Sequence, residues 1–198
     1  MSKPQPLQIG RYYHIYNRGV NRGDLFFQPS DYALFVTLYT LYIDPIADTF
    51  AYCLMLNHFH LFVRIKPSAL EITLPKTPTP GQSFSNLFNA YTKTINQHRH
   101  RTGSLFEHPF HRIPVTTDAY FLHLIAYIHR NPQKHGFVKD FREWPYSSYG
   151  ALLSQRPTRL QRDAVLSWFD GVDRFAEAHT TAPNENYVPG ASDDDWVE

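Results

Sequence analysis

The chain has 198 residues, 42% of them hydrophobic and 16% aromatic, with a net charge of +1, enough for one domain with a real core and an appended segment. The single Cys53 excludes an intramolecular disulfide, and the lack of any spanning apolar run or signal-like N-terminus points to a soluble cytoplasmic protein. The small charge hides an asymmetry: residues 177–198 hold six acids and no Lys or Arg, leaving nineteen basic residues against twelve acids before them, a net +7 that suits a phosphate backbone.

Residues 11–18 read as a first strand, rich in aromatics and closed by an Asn-Arg-Gly turn. Ser30-Asp31 reads as the N-cap of a helix with Tyr32, Leu34, Phe35, Leu38 and Leu41 on its apolar face, stopping before Pro45. Residues 48–56 and 58–66 form two further strands around a tight connection at Leu56-Asn57. The Pro- and Thr-rich segment 67–80 reads as a loop, and Ser83 to about His100 as a second helix. A fourth strand spans 110–115. Thr117 and its neighbours cap a third helix that should run to about Arg130 and stop at Asn131-Pro132. Short helical patterns follow at 147–154 and 160–169, and the polar, acidic last 18 or so residues read as disordered. The order β-α-β-β-α-β predicts an α+β fold of the ferredoxin-like split type. Its four antiparallel strands carry helices on one face, with a further helix and a C-terminal helical extension. The expected division is a domain over 1–152 and an extension over 153–198.

Two places carry chemistry. In Asn57-His58-Phe59-His60-Leu61, side chains alternate along a strand, so both imidazoles share one face and Phe59 and Leu61 turn to the other. Paired neutral imidazoles suit a divalent metal. A chance pair among eleven histidines, facing neighbours or solvent, is the competing reading. In the third helix, Tyr127 and Asn131 lie four apart and so one turn apart on the same face. A phenol can attack a phosphodiester and hold it as a covalent ester, although with a pKa near 10 it needs a metal or base nearby. A helix tyrosine that merely packs its ring is the plainer alternative.

These segments, taken in order, resemble the REP-associated tyrosine transposases, single-tyrosine nucleases with a His-hydrophobe-His motif. The matching pieces are residues 13–19, 55–61, 103–106, 127–132, 134–138 and 144–149, within roughly residues 10 to 152. The resemblance implies that His58 and His60 bind Mg2+ or Mn2+ and that Asn131 completes the metal site. It further implies that Tyr127 is the nucleophile of a single-stranded DNA endonuclease and strand transferase, cutting near hairpins through a 5′-phosphotyrosine link. The expected partner is a REP-like DNA hairpin, the expected location the cytoplasm at the bacterial nucleoid, and the expected state a monomer or homodimer. Arg18, Arg22, Lys93, Arg99, Arg101, Arg112, Lys134 and Lys139 are candidates for phosphate contact, with Arg18 and Arg22 favoured. After Leu105-Phe106 the family often reads Gln-Gly-Arg-Phe. This chain has Glu107-His108-Pro109-Phe110, which loses a base and adds an acid that could approach the metal. His111 and His123 are not taken as ligands. Two alternatives stand beside the transposase reading: a non-catalytic binder of hairpin DNA or RNA, and a small metal-dependent hydrolase of RNA or nucleotides.

Overall fold

The computed structural model describes residues 5–67 and 78–181. Four strands, β1 (Tyr12–Arg18), β2 (Ala47–Leu54), β3 (His58–Ile65) and β4 (His111–Val115), form one antiparallel sheet in the order β2-β3-β1-β4. Helix α1 (Pro29–Tyr42) connects β1 to β2 and α2 (Pro80–His98) connects β3 to β4. Each connection skips over a strand, which is the split β-α-β-β-α-β arrangement. The expected loop over 67–80 lies largely outside the described residues, as do the last 17 residues.

Both faces of the sheet are covered. On one, Ile15, Phe59 and Leu61 pack against Phe35 of α1 and Phe84, Leu87 and Tyr91 of α2. On the other, Phe62 packs under Leu124, Ile125 and Ile128 of α3 (Asp118–Lys134). β3 therefore has seven of eight residues buried, and the histidine face that alternation assigns to it is roofed rather than open. The roof is extended by α4 (Tyr149–Leu153), α5 (Arg162–Trp168) and α6 (Val172–Thr180), whose Leu152, Val165 and Phe175 join the same apolar cluster. Burying a side chain the size of Phe175 contributes roughly 1.5–3 kcal/mol, so this extension shares the core beneath α3.

Several element ends differ from the sequence reading. α1 begins at Pro29, because Asp31 occupies the third helical position and its carboxylate accepts the Phe27 and Gln28 backbone N–H groups at 2.9 and 3.2 Å. α2 likewise starts earlier, at Pro80, capped by Thr79. α3 does not stop at Asn131-Pro132 but continues to Lys134. A proline removes one hydrogen bond, and here the helix persists through its last turn, with the His135 N–H reaching the Asn131 carbonyl at 2.9 Å. α6 has no counterpart in the sequence reading.

The turn after β1 is a crossover point for the chain. A Cβ at Gly19 would lie 1.8 Å from the Gly23 carbonyl oxygen, so only glycine fits. The Gly19 N–H donates to the Asn57 carbonyl at 2.8 Å, and Leu25 and Phe26 N–H both reach the Leu56 carbonyl. This lashes the loop to the residues that immediately precede His58.

Candidate functional site

Residues directly opposite in antiparallel strands share a face, so the register assembles the site. Cys53 of β2 pairs with His60, His60 with Tyr16, and Tyr16 with His111, giving one row across all four strands. In the neighbouring rows His14 lies opposite Phe62 and Ile113, and Arg18 opposite His58. All point to the side of the sheet on which α3 lies. The sequence reading had the histidine orientation right, but both rings are buried, His60 completely and His58 to 6% exposure.

The imidazoles of His58 and His60 stand 5.4 Å apart, centroid to centroid, nearly perpendicular. Each Nδ1 is engaged: that of His58 with Asn57 Oδ1 at 2.7 Å, that of His60 with His14 Nε2 at 2.9 Å. Because an amide oxygen can only accept, His58 carries its proton on Nδ1 and leaves Nε2 a lone pair, the state a metal ligand needs. Burial drives the His58 pKa down to about 3, with His135 and Arg18 adding to it, and holds that of His60 well below its usual range, with His14 and His58 acting in the same direction. Both rings are neutral at physiological pH, the charge state in which an imidazole can ligate an ion.

α3 supplies the opposite wall. The Tyr127 ring lies 5.6 Å from His60 and 6.3 Å from His14, edge-on to both, and Lys134 Nζ sits 5.6 Å from its centroid. Asn131 is buried, and its Nδ2 donates to the Tyr127 carbonyl at 2.9 Å. Its Oδ1 is buried without a well-formed hydrogen bond, and the Asn131 amide as a whole lies close enough to His58 and to the Tyr127 phenol to raise the pKa of the one and lower that of the other. Burial outweighs that effect on Tyr127 and pushes its phenol up to about 12, so the hydroxyl is held protonated at neutral pH.

The candidate donors are two imidazole nitrogens and an amide oxygen, a neutral set able to take a divalent ion. Among the described residues no group of three or more His, Cys, Asp and Glu side chains converges for a metal. A third ligand, if an ion binds here, would be of another kind, and the buried Asn131, whose amide lies beside His58, offers a carbonyl oxygen. With no carboxylate in the set, the cluster brings no negative charge of its own.

The basic candidates divide. Arg18 faces the site but is ion-paired at 2.9 Å with Glu107, so Glu107 meets a guanidinium. Arg22 is exposed on the turn after β1, in left-handed backbone at φ 59°. Lys134 flanks Tyr127. Lys139 is exposed after α3. Lys93 lies on α2, with Arg99 and Arg101 just beyond it, on the far side of the sheet, and Arg99 stacks over Phe27 at 3.8 Å. Arg112 alternates with His111 to the far face of β4 and packs over Phe110 at 3.9 Å. His123 lies on α3 one turn before Tyr127, while His111 stacks on Tyr16 at 4.6 Å and 5°. The residues that sequence reasoning missed are His14, Tyr16 and His135, whose ring stands 4.8 Å from His58. The first two share a face of β1 by parity, but their place beside His60 follows only from the strand register.

Fold and site together define an α+β sheet protein with an imidazole pair on a central strand and a tyrosine-bearing helix laid across it. Known proteins are similar to this chain in sequence or in fold. The chain is 27% identical over 108 residues, 52% of its length, to a Haemophilus influenzae protein that carries the provisional name REP-associated tyrosine transposase. The match spans 58% of that protein, little more than half. Its fold matches the solved structure of a REP-associated tyrosine transposase bound to a REP hairpin, with a TM-score of 0.58 at 18% identity, over 79% of this chain and 89% of that one. No family profile matches the chain. In sequence and in fold, then, the chain resembles the REP-associated tyrosine transposases.

Proposed function

We propose that the protein is a metal-dependent single-stranded DNA endonuclease and strand transferase, a transposase that acts beside hairpins. The observation that carries this reading is the placement of the Tyr127 ring 5.6 Å from His60, with Asn131 adjacent to both Tyr127 and His58. The two names above, a tyrosine transposase and one bound to a REP hairpin, support the same substrate class.

His58, His60 and Asn131 would hold Mg2+ or Mn2+. When bound, such an ion withdraws charge from the scissile phosphate and favours ionisation of a nearby phenol. Tyr127 Oη attacks phosphorus in line with the departing 3′-oxygen. The Oη–P bond forms as the P–O3′ bond breaks, and the proton lost by the phenol is balanced by one gained at the 3′-hydroxyl. The phosphodiester energy is kept in the 5′-phosphotyrosine, so a different 3′-hydroxyl reverses the step and joins strands. The roofed site excludes water, which protects that ester. Lys134, beside Tyr127, and Arg18, near His58, would contact the phosphate backbone.

In this reading the enzyme works in the cytoplasm on chromosomal hairpins; no helix among the described residues is long and apolar enough to cross a membrane. The test is covalent capture. A labelled single-stranded hairpin oligonucleotide, incubated with protein and Mn2+, should give a slow band on a denaturing gel. The band should require metal and vanish in Tyr127→Phe while hairpin binding persists. Tight binding with no band in the wild type would instead favour the non-catalytic hairpin binder, and cleavage without an adduct would favour a hydrolase.

A further inference from the structure

His14 has no role in the reaction just described, yet its ring is completely buried on the same face as His60 and its Nε2 lies 2.9 Å from His60 Nδ1. We propose that His14 is a positioning residue that fixes the tautomer and orientation of His60, so that His60 presents Nε2 to the divalent ion. The proposal rests on the metal-centred reading of the site.

Two neutral imidazole nitrogens at 2.9 Å must be one donor and one acceptor. If His60 Nδ1 carries the proton and donates, His60 Nε2 keeps a lone pair and can ligate. If His14 donates instead, the proton of His60 sits on Nε2 and blocks the ligand. The partner of His58 is Asn57 Oδ1, which only accepts and so selects the ligating tautomer without ambiguity. His14 is the corresponding partner of His60, but its tautomer is free to choose. In the ligating arrangement His14 Nδ1 bears a proton, and this atom is buried with no hydrogen-bond acceptor. A buried lone donor is costly, but the reverse arrangement puts a buried proton on His60 Nε2 instead, so this cost does not choose between the tautomers, whereas an ion at His60 Nε2 requires the first. The surroundings of His14 hold its ring in place: Tyr16 at 4.9 Å and the edge of Tyr127 at 6.3 Å. Ligand partners of this kind typically change metal affinity by about 10–100-fold.

The test titrates Mn2+ into the full chain and reads the free-ion signal by electron paramagnetic resonance. The wild type should bind one ion, and His60→Ala should lose it. His14→Leu should weaken binding by about 10–100-fold. His14→Gln, which sets an amide oxygen near the Nε2 position, should recover most of the loss, a rescue that a purely packing role would not give. Wild-type affinity in His14→Leu overturns the proposal alone, whereas failure of the wild type to bind Mn2+ removes the metal reading and this proposal with it. Nitrogen-15 ring spectra of the wild type with Mg2+ supply a check that does not depend on the variants folding. They should place the His60 proton on Nδ1, and a proton on Nε2 would overturn the assignment.

Discussion

At the scale of single residues, the pairing of Arg18 with Glu107 is the most informative contact outside the proposed metal site. The two side chains are each about one-third exposed and meet at 2.9 Å, so the pair contributes little to stability. Its greater effect is on the charge presented to a nucleic acid, because Glu107 occupies the guanidinium that faces the His58 end of the site. Glu107→Gln should therefore tighten hairpin binding at low salt and steepen the log–log salt dependence by about one unit. Fluorescence anisotropy across a salt series measures both, and an unchanged slope would mean that Arg18 does not reach phosphate. The His-x-His parity and the Tyr127–Asn131 spacing were legible in the sequence because both are properties of one element. His14 was not, because its role depends on which residue of β3 it sits beside, and that is set by strand pairing.

At the scale of elements, α3 is gripped from both sides. One side faces the site. The other bears His129, whose Nδ1 lies 2.8 Å from His179 Nε2 of α6 and whose Nε2 lies 2.7 Å from Ser148 Oγ. His179 Nδ1 in turn donates to the Phe175 carbonyl at 2.7 Å, and Ser148 Oγ accepts the Tyr52 N–H of β2 at 2.8 Å. This relay ties the extension, the tyrosine helix and the sheet together. It works only with neutral rings, and burial holds His179 down to about 4, with the nearby Arg130 acting in the same direction against the bond to Phe175. The folded-state pKa lies below the unfolded value of about 6.5. Its stabilisation is therefore present above that pH and is lost as pH falls from about 6.5 towards 4, up to on the order of 3 kcal/mol. Thermal unfolding from pH 7 to 4.5 should show a steeper fall in Tm for the wild type than for His179→Gln; equal slopes would exclude a neutral His179 as the cause. α6 was invisible in the sequence because its nine residues bury only one large apolar side chain, Phe175, while Val172 is exposed. Its anchors, Phe175 and His179, mean little until α3 is known to lie above them. Pro132 misled for a related reason, since a local rule about proline was overridden by a helix held on both sides.

At the scale of the whole molecule, charge is divided along the chain more than across it. The net +7 before residue 177 predicts that hairpin binding weakens about tenfold or more between 50 and 200 mM salt. Removing residues 182–198, with Glu185, Asp193, Asp194, Asp195 and Glu198, should raise affinity for unrelated single strands. Filter binding with competitor DNA reads both effects, and a salt-insensitive affinity would argue against phosphate contact as the main attraction. The split-sheet architecture was readable from the order of predicted elements. The burial of its second face was not, because the alternation in β3 assigns two faces without saying what covers either.

The row formed by Cys53, His60, Tyr16 and His111 has a consequence for how such a protein can change over generations. Its members come from four strands and meet only because each strand is in step with the next. Point changes elsewhere in those strands leave the row intact. A single-residue insertion or deletion ahead of His14 within β1 would turn Ile15 and Asn17 towards the site and His14 and Tyr16 into the opposite core. A two-residue change would restore the face but offset every neighbour by one rung. Lineages descended from this chain should thus accumulate length differences in their loops and extension while the central strands drift only by substitution.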